Sequence, residues 1–126
     1  MAERILLVEA DVVLGAVLRE VLRRNGYAVT VVRSLNGGVE HLDSVSVMIL
    51  DIDTISAERE LALLDVLQPY GESLPIVLMG LQVSDALHQR LREHLRREQP
   101  THLTWVQKPF RNEELVEAVR RVDKSI

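Results

Sequence analysis

The sequence predicts an α/β domain of three αβα layers, in which five parallel strands form one doubly wound sheet with helices on both faces. Three observations predict it. Five short apolar runs rich in Val, Ile and Leu recur along the chain, at 5–8, 28–32, 45–50, 74–79 and 103–106. Their hydrophobicity is continuous rather than alternating, which marks strands buried on both faces. Stretches with helical periodicity lie between them, and strands alternating with helices imply right-handed crossovers and a parallel (βα)5 sheet.

The elements follow in order. After the first strand, Leu14, Val17, Leu18, Val21 and Leu22 form one apolar helical stripe. Asp11 is placed to cap that helix, Arg23 and Arg24 meet its negative end, and Asn25-Gly26 supplies a left-handed stop. A second helix is expected over 34–43, although Gly37-Gly38 costs it roughly 1 kcal/mol per glycine. A third, over 57–68, packs through Leu61, Leu64 and Leu67. The fourth starts from Ser84, carries Leu87, Leu91 and Leu95, and ends in Arg96-Arg97 before Pro100. A fifth begins near Asn112-Glu113-Glu114 and carries Leu115, Val119 and Val122.

A length of 126 residues suits one domain spanning 1–126, either alone or as the first part of a longer protein. With 47% hydrophobic and 27% charged residues, the composition is that of a soluble globular domain with one core. No stretch approaches the roughly 18 apolar residues of a membrane span. Cysteine is absent, so disulfides and thiolate metal sites are excluded and a cytoplasmic location is expected. A net charge of −4 argues against general nucleic-acid binding, and no DNA-binding motif is visible. The histidines His41, His88, His94 and His102 show no helical ligand pairing and read as surface residues.

Ligands of an open α/β sheet bind beyond the carboxyl ends of its strands. The residues at those ends are Glu9-Ala10-Asp11, Asp51 with Asp53, Gly80-Leu81 and Gln107-Lys108-Pro109. Several carboxylates and one lysine should therefore share an edge.

Four segments carry a resemblance to a known family: Ile5-Leu6-Leu7-Val8-Glu9, Val47-Met48-Ile49-Leu50-Asp51, Pro75-Ile76-Val77-Leu78-Met79 and Lys108-Pro109-Phe110. In this order and spacing the chain resembles, over essentially its whole length, the flavodoxin-like receiver domains of response regulators. The resemblance implies a signalling domain rather than an enzyme. Asp51 would accept a phosphoryl group from a histidine kinase or phosphotransfer protein, and Lys108 would neutralise a phosphate oxygen. Mg2+ would be held by Glu9, Asp51 and the backbone carbonyl of Asp53. Gly80 and Trp105 occupy the positions of the family's switch pair. The face formed by the fourth helix, fifth strand and fifth helix, with Arg90, Arg92, Arg96 and Arg97, would meet an output domain or a second copy.

The chain also departs from the family pattern. Ala10 replaces one member of the acidic pair, Gly80 replaces a Ser or Thr hydroxyl, and Leu81 stands at a usually small position. The loop after Asp51 reads Asp53-Thr54-Ile55-Ser56-Ala57-Glu58 instead of carrying Pro and Gly. Two readings stay open: a phosphoacceptor, and a phosphorylation-independent interaction module in which Asp51 and Lys108 are a residual ion pair. A nucleotide- or flavin-binding enzyme on the same topology is disfavoured, because Glu9-Ala10-Asp11 would repel phosphate where such sites offer glycines and N–H groups.

Overall fold

The computed structural model describes residues 3–54, 67, 74–81 and 103–123. Five strands, β1 (Glu3–Val8), β2 (Tyr27–Val32), β3 (Val47–Asp51), β4 (Ile76–Gly80) and β5 (Leu103–Gln107), form one sheet in the order β2-β1-β3-β4-β5. Every pairing is parallel. The predicted sheet is present, with strand bounds displaced by one or two residues from the apolar runs.

Continuous hydrophobicity has its cause in two cores. Ile5, Leu7, Ile49, Val77, Met79 and Val106 pack on one face with Leu18, Leu22, Leu115 and Val119 from helices. Their chain neighbours Leu6, Val8, Met48, Leu50, Ile76 and Leu78 point the other way, against Leu42, Leu67 and Leu74. All five residues of β3 and of β4 are buried, whereas the edge strands β2 and β5 mix buried and exposed positions. Neither face of a central strand can therefore spare an apolar residue.

Helix α1 (Val12–Arg24) forms where its signals place it. One carboxylate oxygen of Asp11 accepts from the backbone N–H of Val13 and of Leu14, each at 3.0 Å. At the far end the Asn25 side chain donates to the Val21 carbonyl at 2.8 Å, and Gly26 turns the chain with φ 93°. The expected stripe needs one correction. Leu18 and Leu22 are buried and Leu14 and Val21 pack beside them, but Val17 is exposed. The helix turns Gly15 inward instead, where an added Cβ would lie 3.1 Å from Val31 Cγ1. Asp11→Ala is expected to cost about 1 kcal/mol in urea unfolding, and Asp11→Asn almost nothing, because asparagine caps equally well. Equal losses would show that the cap does not depend on the side-chain oxygen.

The second helix is also corrected. Instead of one helix over 34–43, a single α-turn, α2 (Leu35–Gly38), passes into a 3-10 helix, Val39–Ser44. A Cβ on Gly38 would lie 3.0 Å from Val32 Cγ2 and 3.1 Å from Leu6 Cδ2, so this segment presses its backbone onto the sheet. The fifth expected helix is present at Asn112–Val122 and buries Leu115, Val116, Ala118, Val119 and Val122. The expected third and fourth helices lie outside the described residues, save for Leu67, which is helical and buried.

Candidate functional site

The strand order reverses between β1 and β3, since β2 lies beyond β1 while β4 and β5 lie beyond β3. Register makes the site there. Val8 pairs with Leu50, so Glu9 and Asp51 follow side by side. Asp51 pairs with Met79 and Gly80 with Gln107, which brings Gly80-Leu81 and Lys108 to the same edge. The Lys108 N–H donates to the Gly80 carbonyl at 2.7 Å, and the Lys108–Pro109 peptide is cis.

Asp51 is 1% exposed and both of its oxygens are engaged. Oδ1 accepts from the Asp53 backbone N–H at 2.9 Å, and Oδ2 accepts from Lys108 Nζ at 2.6 Å. The ammonium also reaches Asp53 Oδ2 at 3.1 Å. Asp53 then extends to the end of β4, where the Leu81 N–H donates to its two carboxylate oxygens at 3.0 and 3.1 Å. One cation is thus shared by two aspartates, and one of these is also bound to the neighbouring strand.

Burial pushes the Asp51 carboxyl up, but hydrogen bonds from Glu9, Lys108 and the Asp53 N–H outweigh it and hold the group below its usual range. Burial pulls Lys108 down, yet its ion pairs with Asp51 and Asp53 leave it raised. Glu9 goes the other way. Burial and a proton shared with Asp51 push its carboxyl up to about 7, against the Asp11 N–H that donates to Oε1 at 3.0 Å. Glu9 Oε2 is buried with no hydrogen-bond partner among the described residues.

That proton predicts a pH dependence. A carboxyl raised from 4.5 to about 7 binds more protons folded than unfolded across that interval. Its contribution is full below 4.5 and is lost as pH rises through about 7. In metal-free buffer, unfolding free energy should therefore fall between pH 5 and 8, and Glu9→Gln should flatten the slope. An unchanged slope in Glu9→Gln would show that another group carries the dependence.

The orphaned oxygen also tests the fit of a cation. Glu9 and Asp51 present buried oxygens side by side, and a hard divalent ion completed by water accepts such a pair. Ala10 adds no ligand, and among the described residues no cluster of three or more acidic or histidine side chains converges to hold a metal. The residues fit Mg2+ as a two-carboxylate site.

Of the sequence-predicted residues, Glu9, Asp51, Asp53, Gly80 and Lys108 are brought together. Trp105 lies on β5 opposite Leu78 and is 36% exposed. The Asp53 side chain is the feature that sequence reasoning missed: only its backbone carbonyl was expected to take part. Its signal was an acid two residues after Asp51, in a loop lacking the usual Pro and Gly. Arg90, Arg92, Arg96, Arg97, His88, His94 and His102 lie outside the described residues.

No protein-family model matches the sequence, and no curated protein matches it. Solved structures do. The chemotaxis protein CheY4 of Vibrio cholerae is similar at 17% identity, over 97% of this chain and 99% of that one, with a TM-score of 0.77. The signal receiver domain of a putative LuxO repressor protein from Vibrio parahaemolyticus matches at 19%, over 99% and 92%, with a TM-score of 0.76. A response regulator from Thermotoga maritima matches at 14%, over 97% and 98%, with a TM-score of 0.75. The chain has the flavodoxin-like fold of response-regulator receiver domains.

Proposed function

We propose that this chain is a receiver domain of a two-component phosphorelay, in which Asp51 accepts a phosphoryl group from a histidine kinase or phosphotransfer protein. The observation that carries the reading is Asp51 itself: a buried carboxylate at the end of the central strand, with the Lys108 ammonium 2.6 Å away. An Asp51 oxygen attacks phosphorus, a P–O bond forms as the P–N bond to the donor histidine breaks, and the imidazole keeps the bonding pair. Lys108 orients the nucleophile and offsets negative charge gathering on the transferred group. Glu9, Asp51 and the Asp53 backbone carbonyl would hold Mg2+, which would supply further charge neutralisation when bound. The signal would pass as a conformational shift to an output domain or a second copy through the face that includes β5 and the C-terminal helix.

This is a signalling role rather than that of an enzyme, and the expected location is cytoplasmic. No described helix is long and apolar enough to cross a membrane.

The second reading, an interaction module that works without phosphorylation, is favoured by Asp53, which already occupies Lys108 and the Leu81 N–H. Acetyl phosphate with Mg2+, followed by intact mass, separates the two. The phosphoacceptor gains one phosphate, and Asp51→Asn gains none. A wild-type chain that stays unmodified while Mg2+ binds would sink the phosphoacceptor in favour of the module.

A further inference from the structure

We infer that the Asp53 carboxylate is an internal ligand of the anion subsite beside Asp51, so that this receiver carries its own occupant where a phosphoryl oxygen would bind. The inference rests on the reading of Asp51 as the acceptor and specifies how that site is regulated.

The contacts are specific. Any phosphoryl group on Asp51 needs donors at the same edge, and beside the Asp53 N–H that already meets Asp51, two described ones are the Lys108 ammonium and the Leu81 N–H. Asp53 takes both, at 3.1 Å and at 3.0 to 3.1 Å. It does so although Asp51 binds the same ammonium at 2.6 Å. Two carboxylates repel, so a second acid stays here only because its hydrogen bonds outweigh that repulsion.

The surrounding sequence is shaped to this occupant. A Cβ on residue 80 would fall 3.0 Å from Asp53 Oδ1 and 2.7 Å from Ile52 Cγ1. A hydroxyl-bearing residue at that position would press on Asp53, so glycine at 80 and the Asp53 carboxylate in this place fit together. Leu81 contributes through its backbone, and its side chain is 61% exposed. Transfer to Asp51 then requires Asp53 to leave, and the apparent affinity for an incoming anion falls by the fraction of time the subsite is vacant.

Inorganic phosphate is the probe. It would be titrated into the full chain while following the Leu81 amide and the Lys108 Nζ resonances by 15N NMR. Asp53→Ala is compared with wild type and with Asp11→Asn, which removes an acid from the same edge but keeps the helix cap. Asp53→Asn is the second variant should the alanine fail to fold. The expected result is binding about ten- to a hundredfold tighter in the Asp53 variants than in the other two, the range set by releasing two charge-assisted hydrogen bonds. Equal affinity in all proteins, or no response at Leu81 and Lys108 in any, overturns the inference. Acetyl phosphate labelling of the same samples judges Asp51 separately. Tighter phosphate binding without labelling would retire the phosphoacceptor and leave the internal ligand standing; labelling with unchanged phosphate affinity would do the reverse.

Discussion

Lys108→Met should lower stability by about 2–4 kcal/mol at pH 8, equivalent to a fall in Tm of roughly 10 °C. The ammonium is the only described cation in contact with Asp51 and Asp53, at 2.6 and 3.1 Å, and Glu9 lies against Asp51. Removing it leaves three acids at one edge, two of them buried. The loss stays below that of a fully interior pair because the Lys108 side chain is 18% exposed and water can partly replace it. Protonation relieves the repulsion, so the deficit should shrink as pH falls toward 5. Asp51→Asn in the Lys108→Met background should restore part of the stability, since the strongest uncompensated charge is gone. Urea unfolding of wild type, Lys108→Met, Asp51→Asn and the double variant at pH 5 and 8 measures each effect. Equal stability of Lys108→Met and wild type at pH 8 would mean that the carboxylates do not depend on this cation.

Why part of this arrangement was legible in the sequence, and part was not, follows from the kind of constraint behind each residue. Strand identity was legible because burial on both faces forces every position of β3 and β4 to be apolar until the chain reaches the sheet edge. Asp51 stands out as the first charge after Val47-Met48-Ile49-Leu50, and Lys108 as the cation after the last strand. Parallel register then brings the strand ends together without further information. Side-chain direction in the loops has no such periodic constraint. The sequence therefore indicates Asp53 through its backbone alone, while its carboxylate spans from Lys108 to Leu81. Val17 fitted the helical stripe by spacing, yet the docking angle of α1 is set by Gly15 against Val31 and Glu9, which spacing does not encode. Gly37-Gly38 did signal a weak helix, and the close approach of Gly38 to Leu6 and Val32 supplies the reason.

Gly80→Ala should cost about 1–3 kcal/mol, the range for forcing a methyl into a filled site, even though it is the smallest substitution available. Gly80 lies at the end of β4, and the space above its Cα holds Ile52 Cγ1 and Asp53 Oδ1, at 2.7 and 3.0 Å from where the methyl would stand. The closer contact is an atom near the base of the Ile52 side chain, so rotating the tip of that chain does not clear it. Each neighbour therefore carries part of the cost, and shortening either should return part of it. Ile52→Ala combined with Gly80→Ala should be less destabilising than the sum of the two single changes, with a coupling of about 1–2 kcal/mol. Asp53→Ala combined with Gly80→Ala should show a smaller coupling of the same sign, because its contact is the longer one and the carboxylate can swing aside by giving up the Leu81 N–H. The hierarchy of the two couplings is the informative quantity. Strict additivity with Asp53 would mean that residue 80 and the carboxylate do not compete for space, and the absence of a hydroxyl at Gly80 would then need a cause other than the acid two residues after Asp51.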